Sequence, residues 1–468
     1  MTSDVTRRRF LLLAGAAASM TVLGPWSSSG VVAQTTTPFV RRDVGAMSAS
    51  DPILVSYRKA IKAMKALPAS DPRSWTYQAA IHGTTLAQTR TAWNTCEHGT
   101  YFFWSWHRMY LYWFERIVRQ MSKNTHWALP YWNWASASER RLPAPFRDPG
   151  SELFTANRNP AMNNGTGSLP AGDVNYGPAF SFINFTTASS SLEGTPHGAV
   201  HVDIGGWMGS VPTAAQDPIF YLHHSNIDRL WNLWLAQGGG RTDPLTDATW
   251  RTQRFTFFNE KGKQVQMTGC DILRAAQQLH YVYEGEPAQV LEQCGQVRPL
   301  TAVQFLRQQV MELPSVPFEL KDEPISIQLD MAKLRAGQGE LKGAKEGMML
   351  LELEDVEAER QPGVVWDVYV GLPKDANRDV QGPHFVGTVA LFGTGIRNEG
   401  KHAFRPARFA FPLHNALAAA KDAESEQLSV TFIPHTIEVE GQSPQIHAQA
   451  PVKVGKARII RESPGARE

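Results

Sequence analysis

Six of the fourteen histidines fall into two groups of three whose surroundings predict metal binding. The first group lies in and before an aromatic-rich stretch, and the second follows later in the chain. In chain order the six residues are His82, His98, His107, His197, His201 and His224. Neutral imidazole is the commonest metal ligand among protein side chains. The two groups therefore predict a centre with two metal ions.

The second group begins with a pair at helical spacing. His197 and His201 are four residues apart, so on a helix their rings share one face. Thr195 can cap that helix, Pro196 suits its first position, and Gly205 ends it. A pair at this spacing also arises by chance, so two unrelated histidines on a helix remain an alternative at this point.

The third member of that group follows in a helix that is apolar on two adjacent faces, which is typical of a buried helix. The helix is predicted to begin after Pro218 and to end before Gly238. It contains the adjacent residues His223 and His224, and helical spacing alone leaves open which of them binds metal. Asp228 lies one turn after His224, where its carboxylate is expected to orient the ligand imidazole.

The first group requires two helices and a loop. His107 begins an apolar stripe at helical spacing. His98 stands nine residues earlier, so one continuous helix would turn the two rings in opposite directions. We therefore expect His98 on a loop, where Gly99 permits the break. His82 is predicted to end another helix, with Gly83 at the stop position.

The composition of the ligand sets favours copper. Helix-bundle sites for iron or manganese use glutamates and Glu-x-x-His pairs, which are not found here. Zinc sites usually include cysteine or a carboxylate, or keep three histidines and a water. Two all-imidazole groups suit copper. A zinc hydrolase with coincidental histidine clusters remains an alternative.

Three segments carry a specific resemblance. C-E-H-G…W-H-R-M-Y-L, P-H-G-A-V-H and D-P-I-F-Y-L-H-H-S-N-I-D-R-L-W resemble the copper-binding signatures of the tyrosinase, catechol oxidase and haemocyanin family, the type 3 copper proteins. The resemblance covers roughly residues 40–285. It implies two copper ions with O₂ as co-substrate, and an antiparallel four-helix bundle around the dicopper site. By resemblance, the first copper is held by His82, His98 and His107, and the second by His197, His201 and His224.

The resemblance also assigns roles near the ligands. Cys96, two residues before His98, is expected to form a thioether bond to that histidine. Glu193 matches an acidic residue that holds a catalytic water near the second copper. The alternatives are a cysteine that forms no such bond and a solvated glutamate.

Three further positions are expected to line the substrate pocket. Gly198 follows His197 where many tyrosinases have asparagine, and this favours oxidation of diphenols over hydroxylation of monophenols. Val211 matches a position at the entrance to the pocket. Phe220, one turn before His224, is expected to pack against the ligand imidazoles.

The N-terminal region resembles a twin-arginine export signal, predicted over residues 1–33. Arg7, Arg8 and Arg9 precede a short apolar run and a small-residue exit near Ala33. We expect a periplasmic or secreted protein with no membrane span after signal removal. Because this route carries folded proteins, a copper-loading partner before export is possible. The net charge of +2 predicts no nucleic-acid partner.

After the catalytic domain, predicted over residues 34–285, the character of the sequence changes. The motif Tyr281–Tyr283 is expected to close that domain by contacting Arg41 or Arg42. A linker is predicted over 286–318 and an all-β sandwich over 319–460. Its predicted strands are Ile325–Leu329, Met348–Leu353, Val364–Val370, Phe385–Leu391, Arg408–Phe411 and Leu428–Ile433.

This C-terminal region resembles the domain that covers the copper site in plant polyphenol oxidases and haemocyanins. There an inserted side chain keeps the enzyme latent, but the sequence does not name that residue here. A purely stabilising domain is the alternative. Cys270 and Cys294 either pair in an oxidising compartment or remain as two thiols.

The sequence as a whole predicts a copper polyphenol oxidase that converts o-diphenols to o-quinones with O₂ and acts on small phenolic substrates. Hydroxylation of monophenols is a weaker expectation. A haemocyanin-like protein that binds O₂ reversibly would share every ligand and is the main alternative. The sequence makes no prediction of oligomeric state.

Overall fold

The structure is a computed structural model, and it describes residues 37–87, 90–273, 278–286, 305–334, 347–373, 378–398, 404–422 and 428–464. The predicted signal over residues 1–33 and Cys294 lie outside these ranges. Cys270 is disulfide-bonded. Among the described helices, none combines the length and apolar character needed to cross a membrane.

Helices dominate the first half of the described chain. Their bounds are α1 Pro52–Lys65, α2 Trp75–His82, α3 Phe103–Ser122, α4 Pro160–Asn164, α5 Gly177–Phe180, α6 Phe185–Leu192, α7 Ala199–Ile204, α8 Val211–Ala214, α9 Ile219–Ala236, α10 Ala248–Thr252 and α11 His414–Asp422. A π-helical turn, Glu193–Gly198, leads into α7.

Local capping sets the ends of the helices that carry histidines. The Ser74 hydroxyl accepts the N–H of Tyr77 at the start of α2. The Asp217 carboxylate accepts the N–H of Ile219 at the start of α9, at 3.0 Å. Both contacts satisfy amides that a helix start leaves without partners. The predicted end of α2 at His82 and the predicted start and end of α9 are confirmed to within a few residues.

The long helix α3 packs against both α1 and α9. The rings of Phe114 on α3 and Tyr221 on α9 stack with centroids 3.5 Å apart. The Tyr57 hydroxyl of α1 donates to the carbonyl of Pro218, at 3.0 Å. Buried aromatic contacts of this kind hold the histidine-bearing helices at fixed separations.

Strands dominate the second half. Their bounds are β1 Phe39–Arg41, β2 Gly167–Ser168, β3 Phe255–Phe258, β4 Gln264–Met267, β5 Tyr281–Tyr283, β6 Phe305–Glu312, β7 Phe318–Leu320, β8 Ile325–Leu329, β9 Met348–Glu357, β10 Val365–Val370, β11 Phe385–Val389, β12 Ala407–Pro412, β13 Leu428–His435, β14 Glu438–Val439 and β15 Val452–Pro464. One sheet has the order β11-β10-β13-β8, and a second has the order β12-β9-β15-β6, with β7 also paired to β15. Apolar side chains from both sheets form one core. This C-terminal β domain is present, as predicted.

The predicted linker over 286–318 is wrong in its second half. Strand β6 lies inside it and pairs with β15 along the edge of the larger sheet. Five of the eight side chains of β6 are exposed, and four of those five are polar. The sequence therefore lacks the apolar alternation on which strand prediction depends. All six predicted strands are present, with ends that differ by a few residues.

The motif Tyr281–Tyr283 closes the helical region by contacting Arg41. β1 and β5 pair in parallel, with Arg41 opposite Tyr283. The Arg41 guanidinium donates to the Tyr283 hydroxyl at 3.0 Å and lies 3.6 Å from the ring centroid of Tyr281. Of the two arginines considered, Arg41 makes these contacts.

Candidate metal centre

The structure brings all six predicted histidines into one buried cluster. Within each group of three, ring centroids lie 4.7 to 5.7 Å apart. The groups meet where His107 stacks on His224, with centroids 4.5 Å apart. All six side chains are at most 5% exposed. Ligand atoms of His82, His107 and His224 lie within 4.8 Å of one another. The same holds for the ligand atoms of His197, His201, His223 and His224.

Backbone carbonyls fix four of the rings. In each case the carbonyl lies within hydrogen-bond distance of Nδ1, so Nδ1 carries the proton and Nε2 keeps its lone pair for a metal. The pairs are His82 with Val211 at 3.2 Å, His107 with Phe103 at 2.8 Å, His197 with Glu193 at 2.9 Å and His201 with Met208 at 2.7 Å.

The cluster fits a metal centre and is costly without one. Within the described residues, Nε2 of His107 and Nε2 of His197 are buried and have no hydrogen-bond partner. Burial lowers the pKa of His107 to about 3 and holds the pKa values of His197, His201 and His224 well below the ordinary value. The rings are therefore neutral, which metal binding requires.

The adjacent pair on α9 has two different environments. His224 lies between the groups, and its Nε2 is 3.3 Å from Nε2 of His201. His223 accepts a hydrogen bond at Nδ1 from the indole of Trp134, at 3.1 Å, while its ring also lies near His197. This geometry favours His224 as the ligand that faces both groups.

His98 lies on a loop, as predicted, and two remote contacts and one local contact hold it. Gly99 has a φ of +67° and donates its N–H to the carboxylate of Glu193, at 2.7 Å. Arg405 of the β domain donates to the His98 carbonyl, at 2.9 Å. Cys96 Sγ lies 3.3 Å from Nδ1 of His98. Glu193 was predicted to hold a water. In the structure its carboxyl group accepts the N–H of Gly99 on the ligand loop. Burial raises the pKa of Glu193 to about 8.

Asp228 does not orient His224, so that prediction is wrong. Within the described residues, Nδ1 of His224 has no hydrogen-bond partner. Burial alone would raise the pKa of Asp228, but neighbouring guanidinium groups keep it below its ordinary value. Side chains from three parts of the chain meet its carboxylate, so it stabilises the fold around α9. They are Arg41, Arg108, Tyr281 and Tyr283.

The three predicted pocket residues border the histidines in different ways. Phe220 packs against His224 and His82, with ring centroids 4.2 and 4.7 Å apart. Val211 is 2% exposed, so it does not form an open entrance in this structure. A Cβ added to Gly198 would lie 3.7 Å from the Cβ of Phe392, a β-domain residue.

Phe392 belongs to a loop, residues 390–396, that covers the histidines and that we call the lid loop. Its ring stacks on His201, with centroids 3.7 Å apart and planes 7° from parallel. The same ring meets the edges of His197 and His98, at 5.4 and 5.6 Å. Gly393 has a φ of +76°, and a Cβ there would lie 2.5 Å from the His98 ring. Only glycine fits this close approach.

Phe392 was not predicted from the sequence. Its signal is a phenylalanine in the run Ala390-Leu391-Phe392-Gly393, directly after a buried strand. An apolar side chain beside glycine in a loop is a common pattern, so the sequence alone did not distinguish it. The Gln361 amide holds the loop in place, because it donates to the carbonyls of Leu391 and Gly209, at 2.8 and 3.1 Å.

A buried cluster of six imidazoles, carried mainly on helices and covered by a β domain, defines a protein of the type 3 copper class. Comparisons with known proteins agree with that class. The model of the common central domain of tyrosinase matches residues 72–181 and 157–237. The polyphenol oxidase middle domain matches residues 244–293, and a domain of unknown function matches residues 315–462.

The chain belongs to the tyrosinase and polyphenol oxidase family. It is 33% identical to the tyrosinase HcTyr1 of Hahella sp. (strain CCB-MM4) over 82% of this chain and 93% of that protein. It is 34% identical to a chloroplastic polyphenol oxidase of Malus domestica over 49% of this chain and 46% of that protein. It is thus a type 3 copper oxidoreductase that uses a dinuclear copper centre and O₂.

Solved structures share the arrangement of a catalytic domain followed by a β domain. The structure of latent apple tyrosinase superposes with a TM-score of 0.64 at 25% identity, over 91% of this chain and 98% of that chain. Latent aurone synthase superposes with a TM-score of 0.65 at 20% identity, over 92% of this chain and 91% of that chain, which shows the fold alone.

Proposed function

We propose that this protein is a latent polyphenol oxidase that oxidises o-diphenols to o-quinones. The observation that carries the proposal is the ring of Phe392, which stacks on His201 inside the histidine cluster. A flat apolar ring in that place occupies the position that a phenolic ring needs. The relatives named as latent enzymes support this interpretation.

The copper ligands that we propose are the six predicted histidines. When bound, the copper pair supplies O₂ binding and the removal of two electrons from the diphenol. Burial keeps His107, His197, His201 and His224 neutral, and a backbone carbonyl or a packed neighbour fixes the direction of each ring. His82, His98 and His107 are assigned to one ion, and His197, His201 and His224 to the other.

We also propose the thioether bond between Cys96 and His98. The sulfur lies 3.3 Å from Nδ1 of the ring, so the two side chains are already in contact. A covalent bond would restrain a ligand that no helix carries. Glu193 and Arg405 restrain the same loop from the two domains.

For substrate choice we propose diphenols over monophenols. Gly198 provides no side-chain amide beside His197, and the Glu193 carboxylate is engaged by Gly99. A water held by Glu193 therefore lacks a side-chain amide that would help it to take the proton of a bound monophenol. We also propose an antiparallel four-helix bundle around the copper site, which the packing of α3 against α1 and α9 supports. Export through the twin-arginine route and a copper-loading partner are further proposals, and they rest on the N-terminal sequence.

The test uses the copper-loaded full chain before and after limited proteolysis that removes the β domain. We expect quinone formation from catechol to rise after proteolysis, with slower hydroxylation of tyramine. Intact-mass analysis of the reduced, metal-free chain should show a mass two hydrogens below that of the sequence if the thioether is present, because reduction opens the disulfide of Cys270 but leaves a thioether intact. Reversible O₂ binding with no quinone after proteolysis would instead indicate an oxygen carrier, and equal rates on tyramine and catechol would contradict the substrate assignment.

A further inference from the structure

A short segment of the β domain docks on the helical region through backbone hydrogen bonds. The segment spans residues 435–440 and starts at the last residue of β13, and we call it the interdomain strap. Within it, β14 pairs in antiparallel register with β2 of the helical region. The N–H of Glu440 extends this pairing, because it donates to the carbonyl of Thr166 at 3.0 Å. The strap therefore joins the two domains directly.

His435, the first residue of the strap, forms an ion pair with Asp173 of the helical region. Its Nε2 lies 3.0 and 2.9 Å from the two carboxylate oxygens of Asp173. The Asp173 side chain is fully buried, and that of His435 is 17% exposed. The other ion pairs that join described residues of the two domains each include an arginine that is about half exposed. They are Arg141 with Glu440 and Arg405 with Glu97. The His435 pair is therefore the one best shielded from solvent and salt.

The charge of His435 depends on carboxyl groups from three parts of the fold. Asp173 lies on the loop between β2 and α5, Asp203 on α7 and Asp367 on β10. Nδ1 of His435 lies 3.8 Å from Oδ1 of Asp367. Burial alone would lower the pKa of His435, but these three carboxyl groups, with Asp173 the strongest, raise it to about 10. In the docked state His435 is therefore charged at neutral pH.

The raised pKa sets the direction of a pH dependence. When the strap is released into water, His435 returns to its ordinary pKa of about 6.5. The ion pair thus contributes fully below pH 6.5, and its contribution is lost as the pH rises from there to about 10. Asp367 acts in the same direction, because burial raises its pKa to about 6, although Arg378 and the Tyr369 hydroxyl lower it. The dependence on His435 does not require that Asp203 titrate.

The strap and the lid loop belong to the same sheet. In the order β11-β10-β13-β8, β10 lies between the strand that precedes the lid loop and the strand that leads into the strap. Within β10, Asp367 lies opposite Thr388 of β11 and opposite Ile433 of β13. Strands that are hydrogen-bonded in this way open as one cooperative unit. Release of the strap therefore loosens the sheet that carries Phe392.

We propose that the His435–Asp173 pair is a proton-dependent latch, which holds the interdomain strap on the helical region and weakens as the pH rises above neutral. Neither residue is a proposed copper ligand. The effect of the latch on activity rests on the proposed latency, in which the lid loop covers the histidines. Its effect on the contact between the two domains does not.

The test is hydrogen exchange of the copper-loaded full chain, measured by mass spectrometry from about pH 6.5 to pH 9 and corrected for the intrinsic exchange rate. Peptides that contain the strap and β2 report the opening of the contact. In the wild type we expect the opening equilibrium to rise by up to about 10-fold per pH unit. At pH 7, H435Q and D173N should exchange these amides at least about 10-fold faster than the wild type and should lack the rise with pH.

E440Q is the matched control. It removes an exposed ion pair with Arg141 from the same strap and leaves His435 and Asp173 in place. Exchange should change by less than about 5-fold, with the wild-type pH dependence kept. Amides of β9, in the other sheet, should stay protected in every variant, which distinguishes release of the strap from unfolding.

Three results would overturn the latch. They are a wild-type opening equilibrium that does not change with pH, equal strap exchange in wild type and H435Q, and loss of β9 protection together with the strap in H435Q. Catechol oxidation at pH 7, measured on the same samples, separates the latch from the proposed latency. Faster strap exchange in H435Q without faster oxidation would support the latch and contradict the latency.

Discussion

The two groups of histidines are built differently, although they form one cluster. In the second group, His201 and His224 lie on helices and His197 on the turn that leads into one of them. In the first group, His98 lies on a loop that depends on Glu193 and on Arg405 of the β domain. Helical periodicity sets the second group locally, whereas the first group needs contacts between residues far apart in the chain. We therefore expect the two copper ions to differ in their sensitivity to remote changes.

The largest effect is expected from the ligands of the second group. H224Q should reduce copper from about two ions per chain to one or fewer and remove catechol oxidation. Removing a residue that only orients a ligand lowers metal affinity roughly 10–100-fold, and we expect removal of the ligand itself to cost more. H223Q is the matched control, since the neighbouring histidine is equally buried. Copper analysis and O₂ uptake measure both. If H223Q loses copper and H224Q keeps it, the assignment within the pair is wrong.

The next largest effect is expected at Asp228, whose ion pairs hold α9 in place. D228N should destabilise the protein by roughly 3–5 kcal/mol, because it leaves Arg41 and Arg108 buried beside a neutral amide. Denaturant unfolding of the copper-free protein measures this. E260Q is the control, since its pair with Arg116 is partly exposed and should contribute under about 1 kcal/mol. Equal losses in the two variants would show that the buried network does not support the second group.

These contrasts also explain what the sequence could predict. The helix ends at His82 and Ile219, and the loop position of His98, follow from local signals: capping residues, glycine and helical spacing. The role of Asp228 was predicted wrongly because helical spacing places it one turn from His224. Its real partners include Arg41, which is 187 residues away in the chain. Local spacing does not report such tertiary partners.

The β domain shows the same limit. Strands with buried alternating faces were predicted, whereas the exposed edge strand β6 was taken as linker. The lid loop was not predicted because the contact of Phe392 with His201 depends on how the β domain packs against the helical region. Nothing in residues 390–396 themselves indicates that the ring reaches His201. Contacts between domains thus account for the main errors, in the fold and in the site.

The lid gives a prediction of intermediate size. F392A should raise catechol oxidation by the unproteolysed enzyme on the order of 10-fold, since removing the stacked ring opens the face of His201. F404A is the control, because Phe404 is a phenylalanine of the same domain whose ring lies beneath Arg397, 4.6 Å from its guanidinium carbon. F392L keeps most of the side-chain volume, so it shows whether a change in F392A comes from loss of the ring or from unfolding. Unchanged activity in both Phe392 variants, with copper retained, would contradict the blocking role.

The smallest effect tests the difference between the groups most directly. R405A removes the hydrogen bond from the β domain to the His98 carbonyl. Arg405 is about half exposed, so the loss should be near 1 kcal/mol, or about 5-fold in copper retention at the first site. Copper release to a chelator, followed over time, should therefore show one ion leaving faster and the other unchanged. R397A, which removes an exposed pair with Glu357, should alter neither phase. If R405A speeds both phases equally, the loop-held and helix-held groups respond as one unit, and the proposed difference between them does not exist.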